Sequence, residues 1–145
     1  MGIFKREIIF PEVEAKLFEG GTPITDQRII RSWNLDRSEE QFFDETRTDS
    51  EGHFSFPEVS VPMKLRGILS EFRVSQLMYL ANDYDNLETD IDPDTFFWSC
   101  TKWDSSHYFE FDGSPAKLVC DLTAEEHSIR KPTLKLTTRC TIVPK

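Results

Sequence analysis

The 145-residue sequence lacks the excess of positive charge that is typical of nucleic-acid-binding proteins. It contains 17 lysines and arginines against 26 aspartates and glutamates, which gives a formal net charge of -9 at pH 7. Such a surface repels phosphate backbones, and the basic residues occur mostly singly along the chain. The charge therefore argues against a nucleic-acid partner and favours a basic protein partner, because opposite charge speeds association.

Long apolar runs are absent as well. No segment approaches the length of a membrane span, and the N-terminal stretch MGIFKREIIFPEVEAK has no apolar run of signal-peptide length. Its first residues resemble a myristoylation signal, but Arg6 stands where serine or threonine is required. We therefore expect a cytoplasmic protein that has no membrane partner.

Cysteine and histidine are scarce, with three of each. The cysteines Cys100, Cys120 and Cys140 form no CxxC pair, and no spacing between them and the histidines is that of a zinc site. Cys120 and Cys140 fall on apolar faces of alternating segments, which is typical of inert core thiols. We expect free buried thiols, with one disulfide as the alternative, and neither a metal nor another cofactor.

The sequence also has no recognisable catalytic motif. There is no Gly-x-Ser-x-Gly elbow, and Ser105 and Ser106 in DSSH look like turn residues. His53 follows a turn glycine and His127 lies in a polar stretch, so neither stands beside an evident nucleophile. The expected function is therefore non-enzymatic.

The chain does contain a regular alternation of apolar and polar residues. Val13, Ala15 and Leu17 alternate with charged residues, and similar segments recur between turn signals. About eight short strands with almost no helix predict an all-β fold, an antiparallel β-sandwich of the immunoglobulin-like kind. The exception is 65–72, where helical spacing allows one short helix, with an irregular crossover as the alternative. The length suits a single domain, residues 1–145.

The segment TRTDSEGHFSFPEV, residues 46–59, predicts a β-hairpin. Asp49 can accept hydrogen bonds from the backbone two residues on, and Gly52 can adopt a positive φ without steric cost. Phe54 and Phe56 then fall on one face of the outgoing strand and His53 on the other. An EF-hand would need a longer acidic series that ends in glutamate, so the hairpin is preferred over a calcium loop.

The segment TFFWSCTKW, residues 95–103, predicts a strand with large apolar groups on both faces. Regular alternation separates two sets of side chains: Phe96, Trp98 and Cys100 on one face, and Phe97, Ser99, Thr101 and Trp103 on the other. Such a strand is central, or its second face is covered. We expect Trp33 and Trp98 in the core, and Trp103 at a strand end near solvent.

Two consecutive segments, VEAKLFEGGTPITDQRIIRSW and TRTDSEGHFSFPEV, form a pattern of strand, Gly-x-Pro turn, strand and hairpin. The positions that carry the pattern are Gly21, Pro23, Ile29, Thr48, Asp49, Gly52, Phe54 and Phe56. Over residues 12–60 the chain resembles carboxypeptidase regulatory-like, or transthyretin-like, β-sandwich modules, from which it departs at Thr25 and Asp26. The resemblance implies a transthyretin-like sandwich and is silent on function. Transthyretin-like hydrolases end in Tyr-Arg-Gly-Ser, whereas this chain ends in CTIVPK.

The second half, with EFRVSQLMYL, the Trp-rich strand and KLVCDL, is similar to small uncharacterised bacterial proteins that extend such a module. Single-domain bacterial proteins of this size and acidity resemble immunity or accessory factors encoded beside secreted toxins. The resemblance implies a bacterial inhibitor, a protein-binding module that neutralises a toxin or secreted effector.

The segment NDYDNLETDIDPD concentrates acidic side chains between two predicted strands. A solvated loop is one interpretation, and an acidic patch for a cationic partner is the other. An exposed tryptophan beside charge has the composition of an interface hot spot. The predicted partner interface consists of Asp83, Tyr84, Asp85, Glu88, Asp90, Asp92, Asp94 and Trp103. The alternative function is a carbohydrate- or small-ligand-binding accessory β-sandwich that stacks sugars on tryptophan.

Overall fold

The computed structural model describes residues 6–35, 40–62, 73–86, 89–103, 110–111 and 114–144. Nearly all regular structure in these ranges is β-strand, and the sheets pack as a sandwich, so the predicted all-β antiparallel sandwich is confirmed. A single turn of 3-10 helix spans Pro93–Thr95. The helix predicted over 65–72 lies outside the described residues.

The described residues form more and shorter strands than the alternation pattern predicts. In chain order they are β1 (Arg6–Phe10), β2 (Val13–Glu19), β3 (Thr22–Pro23), β4 (Arg28–Leu35), β5 (Phe42–Arg47), β6 (His53–Phe56), β7 (Val59–Pro62), β8 (Val74–Ala81), β9 (Phe96–Lys102), β10 (Glu110–Phe111), β11 (Ser114–Asp121), β12 (His127–Lys131), β13 (Leu134–Thr138) and β14 (Cys140–Pro144).

These strands form two main sheets and one small ribbon. Sheet I is built around β2 and β11, with β3 and β6 on β2 and with β10 and β14 on β11. Sheet II has the order β12-β13-β9-β8-β4-β5, and β1 pairs with β7 separately. The contact between β2 and β11 is parallel, whereas the other described pairings are antiparallel.

The core lies between the inner faces of sheets I and II. The alternation predicted for β2 is confirmed, because Val13, Ala15 and Leu17 are buried. Buried side chains of β4, β8, β9 and β13 pack against them from sheet II. The apolar run of β8 is central, as its composition predicts, with β9 on one side and β4 on the other.

The turn predicted at Asp49–Gly52 is confirmed, but the predicted hairpin is wrong. Strand β5 pairs with β4 in sheet II and β6 pairs with β2 in sheet I, so the turn carries the chain from one sheet to the other. The Asp49 carboxylate accepts the backbone amides of Glu51 and His53 at 2.8 and 2.9 Å. Gly52 has φ of 81°, and a Cβ there would lie 2.6 Å from the carbonyl oxygen of Leu17. Glycine is therefore required both by the turn and by the close approach of β2.

Strand β9 departs from regular alternation. Phe97 and Trp98 are consecutive in sequence, yet both are buried in the core, while the Phe96 ring packs on Tyr79 with centroids 5.2 Å apart. Phe97 has no partner in the pairing of β9 with β8, because Met78 pairs with Trp98 and Tyr79 pairs with Phe96. This β-bulge makes the predicted grouping of Phe96 with Trp98 wrong. The prediction of a central strand is confirmed, since β9 lies between β8 and β13.

Cys120 and Cys140 form a disulfide, so the expectation of free thiols is wrong for these two residues. They face each other across β11 and β14, with Cα atoms 4.0 Å apart. Cys100 is a buried thiol, as predicted. The segment LKLTTRCTIV looks like one strand in sequence, but at Arg139 the chain passes from β13 in sheet II to β14 in sheet I. This change of sheet brings the two sulfurs together.

Arg31 interrupts the apolar face of β4, and it is fully buried. Its Nε and Nη2 donate to the Asp44 carboxylate on β5 at 2.9 and 2.5 Å, and its Nη1 donates to the carbonyl of Pro57 at 2.7 Å. The guanidinium also lies over the rings of Phe10 and Phe56, 4.7 and 4.6 Å from their centroids. The buried charge is thus both paired and hydrogen-bonded, which is what its burial requires.

We expect Arg31→Met to lower the free energy of unfolding by about 2–4 kcal/mol, because it leaves Asp44 without its cation. Urea denaturation at neutral pH measures this change. The matched control is Arg47→Met, which breaks an exposed ion pair with Asp83 and should lower the free energy of unfolding much less, because solvent screens an exposed pair. Equal losses in the two variants would show that burial of Arg31 adds nothing to the pair.

Because of Asp121, we expect the free energy of unfolding to decrease at acid pH. Its carboxylate accepts hydrogen bonds from the hydroxyl and the amide of Thr123 and, with smaller effect, from the amides of Gly20 and Gly21. These bonds lower its pKa from 3.8 to about 2. Because the folded pKa is depressed, the stabilisation is present above pH 4 and is lost as the pH falls towards 2. Thermal melts between pH 2 and pH 6 should show this decline, and it should be smaller in Asp121→Asn.

Candidate functional site

The acidic segment, residues 83–94, connects β8 with the 3-10 helix that precedes β9. Several of its carboxylates shape their own backbone: Asp85 accepts the amide of Asn82 at 2.8 Å, and Asp90 accepts the amide of Asn86 at 2.9 Å. Asp92 accepts the amide of Asp94 at 3.0 Å and caps the 3-10 helix. The described parts of the segment, 83–86 and 89–94, therefore contain turns that are stabilised by side chains. Glu88 lies outside the described residues.

Arg28 on β4 anchors the start of the acidic segment. Its Nη1 donates to the carbonyls of Asn82 and Asp85 at 3.0 and 3.2 Å. The Glu45 carboxylate holds the same guanidinium from β5 at 2.6 Å, and this hydrogen bond lowers the pKa of Glu45. Asp83 forms a second connection to β5 through its ion pair with Arg47. Two arginines of sheet II thus fix the first turn of the segment.

The other end of the segment is held by apolar packing and a hydroxyl. Ile91 packs against the cluster formed by Ile30, Tyr79 and Ala81. The Thr95 hydroxyl lies between the carbonyl oxygens of Asp92 and Leu80, at 2.7 and 3.1 Å, and so connects the 3-10 helix with the end of β8. Both ends of the segment therefore contact sheet II.

Tyr84 projects from the anchored first turn and is 98% exposed. It lies between Asp83 and Asp85 in sequence. Further along, Asp90, Asp92 and Asp94 are exposed and make no ion pair with any described residue. The structure thus brings an exposed aromatic ring and uncompensated negative charge together on one short segment.

Trp103 does not join this surface. It follows β9 at the end opposite to the acidic segment, which implies a separation of roughly 20 Å along a strand of this length. Its side chain is 47% exposed, and its amide donates to the carbonyl of Thr133 at 2.8 Å. Register places Lys135 opposite Thr101 and Arg130 opposite Lys135. Trp103 therefore lies near a basic row of sheet II, a juxtaposition that linear sequence does not reveal.

The histidines and cysteines form no metal or catalytic cluster among the described residues. His53 lies beside the carboxylates of Asp49 and Glu51, with Nδ1 3.6 and 3.5 Å from their oxygens. No group of three or more described histidine, cysteine, aspartate or glutamate side chains could hold a metal ion. Ser105 and Ser106, which raised the question of a hydrolase, lie outside the described residues. No helix in the described ranges is long and apolar enough to cross a membrane.

Residues 13–125 match a protein family described as a domain of unknown function, DUF6795. The match runs from the first residue of β2 to the turn before β12, and so includes the acidic segment. The chain belongs to the DUF6795 family. No curated protein and no solved structure matches it. The DUF6795 match covers the centres of both sheets, but it brings no functional description of the acidic segment.

We expect Arg28→Leu to loosen the first turn of the acidic segment, because the carbonyls of Asn82 and Asp85 lose their charged donor. The amides of Asp85 and Asn86 should exchange with deuterium roughly tenfold faster, as expected when a charge-assisted anchor is lost. Hydrogen exchange with mass spectrometry measures this. Glu45→Gln is the control, since it keeps an acceptor for Arg28 and should leave exchange nearly unchanged. Unchanged exchange in Arg28→Leu would contradict the anchoring role.

Proposed function

We propose that this DUF6795 protein is a non-enzymatic protein-binding module, an inhibitor of the immunity-protein type that neutralises a basic toxin or secreted effector. The observation that carries the proposal is the exposure of Tyr84 between Asp83 and Asp85 on a segment whose backbone is anchored. Resemblance to transthyretin-like modules supports the scaffold role of the sandwich and adds nothing about the partner.

An anchored aromatic side chain is suited to be the centre of an interface. Tyrosine buries a large area while losing little conformational entropy, and it is enriched among the residues that dominate binding energy. Arg28 and Arg47 already order the turn that carries Tyr84, so little further ordering is needed when a partner binds. The expected contact is a partner pocket that takes the tyrosine ring.

The carboxylates beyond Tyr84 support a basic partner. Asp90, Asp92 and Asp94 lie on one side of the tyrosine in sequence and have no described cation to neutralise them. Exposed charges of this kind chiefly accelerate association, and their effect is screened by salt. In this proposal the Tyr84 ring determines how slowly the complex dissociates. The carboxylates of Asp90, Asp92 and Asp94 determine how fast it forms.

The carbohydrate-binding alternative has less support from the aromatic side chains. Trp98 is fully buried, and Trp33 is half-buried and packs against the core while its ring stacks on Phe42. Trp103 is half-exposed but follows a strand end. None of the three presents the open, flat strand face on which a sugar ring would stack.

The first experiment is capture of the partner from native cell extract with the tagged chain, at low and at high salt, followed by mass spectrometry. The proposal expects one stoichiometric basic protein that is lost as salt rises. Retention of acidic proteins only, or of no protein, would contradict it.

With the partner in hand, we expect Asp90→Asn/Asp92→Asn/Asp94→Asn to lower the association rate constant about tenfold at low salt and to change little at high salt. Asparagine keeps the backbone-capping oxygens, so the fold is retained. The matched control removes three exposed carboxylates elsewhere, in Glu19→Gln/Glu58→Gln/Glu125→Gln. Surface plasmon resonance measures the association rate constants of both triple variants. Equal decreases would show that the acidic segment acts only through the net charge of the protein.

We expect Tyr84→Ala to raise the dissociation rate constant of the complex. Loss of a central aromatic contact of about 2 kcal/mol corresponds to a roughly thirtyfold faster dissociation. The association rate constant should change little, because no charge is removed. Unaltered dissociation would show that the tyrosine does not enter the interface.

A further inference from the structure

A groove of about 590 Å³ lies on the outer face of sheet I, and the protein-binding proposal does not use it. Its volume falls in the range of small-molecule sites. The floor consists of outward-facing side chains of β2, β6, β11 and β14, and one wall consists of the chain at Thr46, Arg47 and Asp49. Thr48 stiffens this wall, because it is buried and its hydroxyl accepts the amide of Gln27 at 2.9 Å.

The floor has an apolar centre. Val119 on β11 is 37% exposed on this face, and Val143 on β14 is half-buried beside it. Register places Val119 opposite Lys16 of β2, and Val143 opposite Lys117 of β11. Each valine thus has a lysine as its cross-strand neighbour, and the lysine stems extend the apolar floor.

The two lysines are near each other. Lys16 pairs with Val119, and Lys117 lies two residues before Val119 on the same face of β11. They are diagonal neighbours on adjacent strands, roughly 8 Å apart along the backbone, so both ammonium groups can reach one anionic group. Both side chains are exposed, and neither forms an ion pair with a described residue.

The other charged groups of the groove are already engaged. The Arg47 guanidinium pairs with Asp26 and Asp83. The Asp49 carboxylate accepts two backbone amides of its own turn. Glu14 also makes an interaction and is not free. The lining nevertheless contains three cations, Lys16, Arg47 and Lys117, against the two carboxylates of Glu14 and Asp49, so its net charge is positive although the protein as a whole carries -9.

We propose that this groove binds a small amphipathic anion. The apolar body of the ligand lies on Val119 and Val143, and its carboxylate or sulfonate lies between Lys16 and Lys117. The exposed valines and the two lysines without a described ion pair are complementary to such a molecule. A neutral polar ligand would contact neither the apolar surface nor the charges favourably.

The test uses anilinonaphthalenesulfonate, an aromatic anion whose fluorescence rises on binding, and its neutral analogue phenylnaphthylamine. The wild-type protein should bind the anion at one saturable site. Lys16→Gln/Lys117→Gln should weaken the anion about tenfold, the effect of losing two partly solvated charge contacts, and leave the neutral analogue unchanged. Val119→Ser should weaken both probes. Amide chemical shifts should change at residues 14–16, 53–55 and 117–119.

The matched control is Arg130→Gln/Lys135→Gln, which removes the same charge from sheet II and should leave the affinity for both probes unaltered. Thermal melts check that each variant is folded. Any of four results would overturn the proposal. The Lys16/Lys117 variant could bind the anion with wild-type affinity, or the control could lose as much affinity as that variant. The wild-type protein could show no saturable binding, or the chemical-shift changes could centre on other residues. Partner binding through Tyr84 should survive in the Lys16/Lys117 variant, so the two proposals fail independently.

Discussion

A buried guanidinium connects the two sheets of this sandwich. Arg31 extends from β4 of sheet II, pairs with Asp44 on β5, and donates to the carbonyl of Pro57 just after β6 of sheet I. The rings of Phe10 and Phe56 cover it. Because an unpaired charge at 0% exposure would be costly, these elements must come together for Arg31 to be buried.

The same strand connects the core to the surface. Three residues before Arg31, Arg28 donates to the carbonyls of Asn82 and Asp85, so β4 both contributes to the core and positions the acidic segment. Gln76 has a comparable role at the other side of β8, where it joins the carbonyl of Ile9 to the indole of Trp98. The segment that carries Tyr84 thus rests on a sheet whose position is determined by satisfied buried polar groups.

Charge is distributed unevenly over the outer surfaces of the two sheets. Negative charge gathers at the connection between β8 and β9, while Lys16 and Lys117 share the groove on sheet I. Arg130 and Lys135 form a basic row on sheet II near Trp103. A protein with net negative charge can therefore present distinct surfaces to a basic protein and to a small anion, because the field near a surface depends on its nearest charges more than on the total.

Local sequence patterns were sufficient for the all-β class, the Asp49–Gly52 turn and the position of the acidic segment, because alternation and turn chemistry depend on neighbours in the chain. They could not show the bulge at Phe97, the change of sheet at Arg139, the Cys120–Cys140 disulfide or the separation of Trp103 from Tyr84. Each of these depends on which strand lies opposite which, and strand pairing joins residues far apart in sequence through contacts that a period-two pattern does not encode. The all-β class thus follows from neighbouring residues, whereas the surfaces available for binding follow from the register between distant strands.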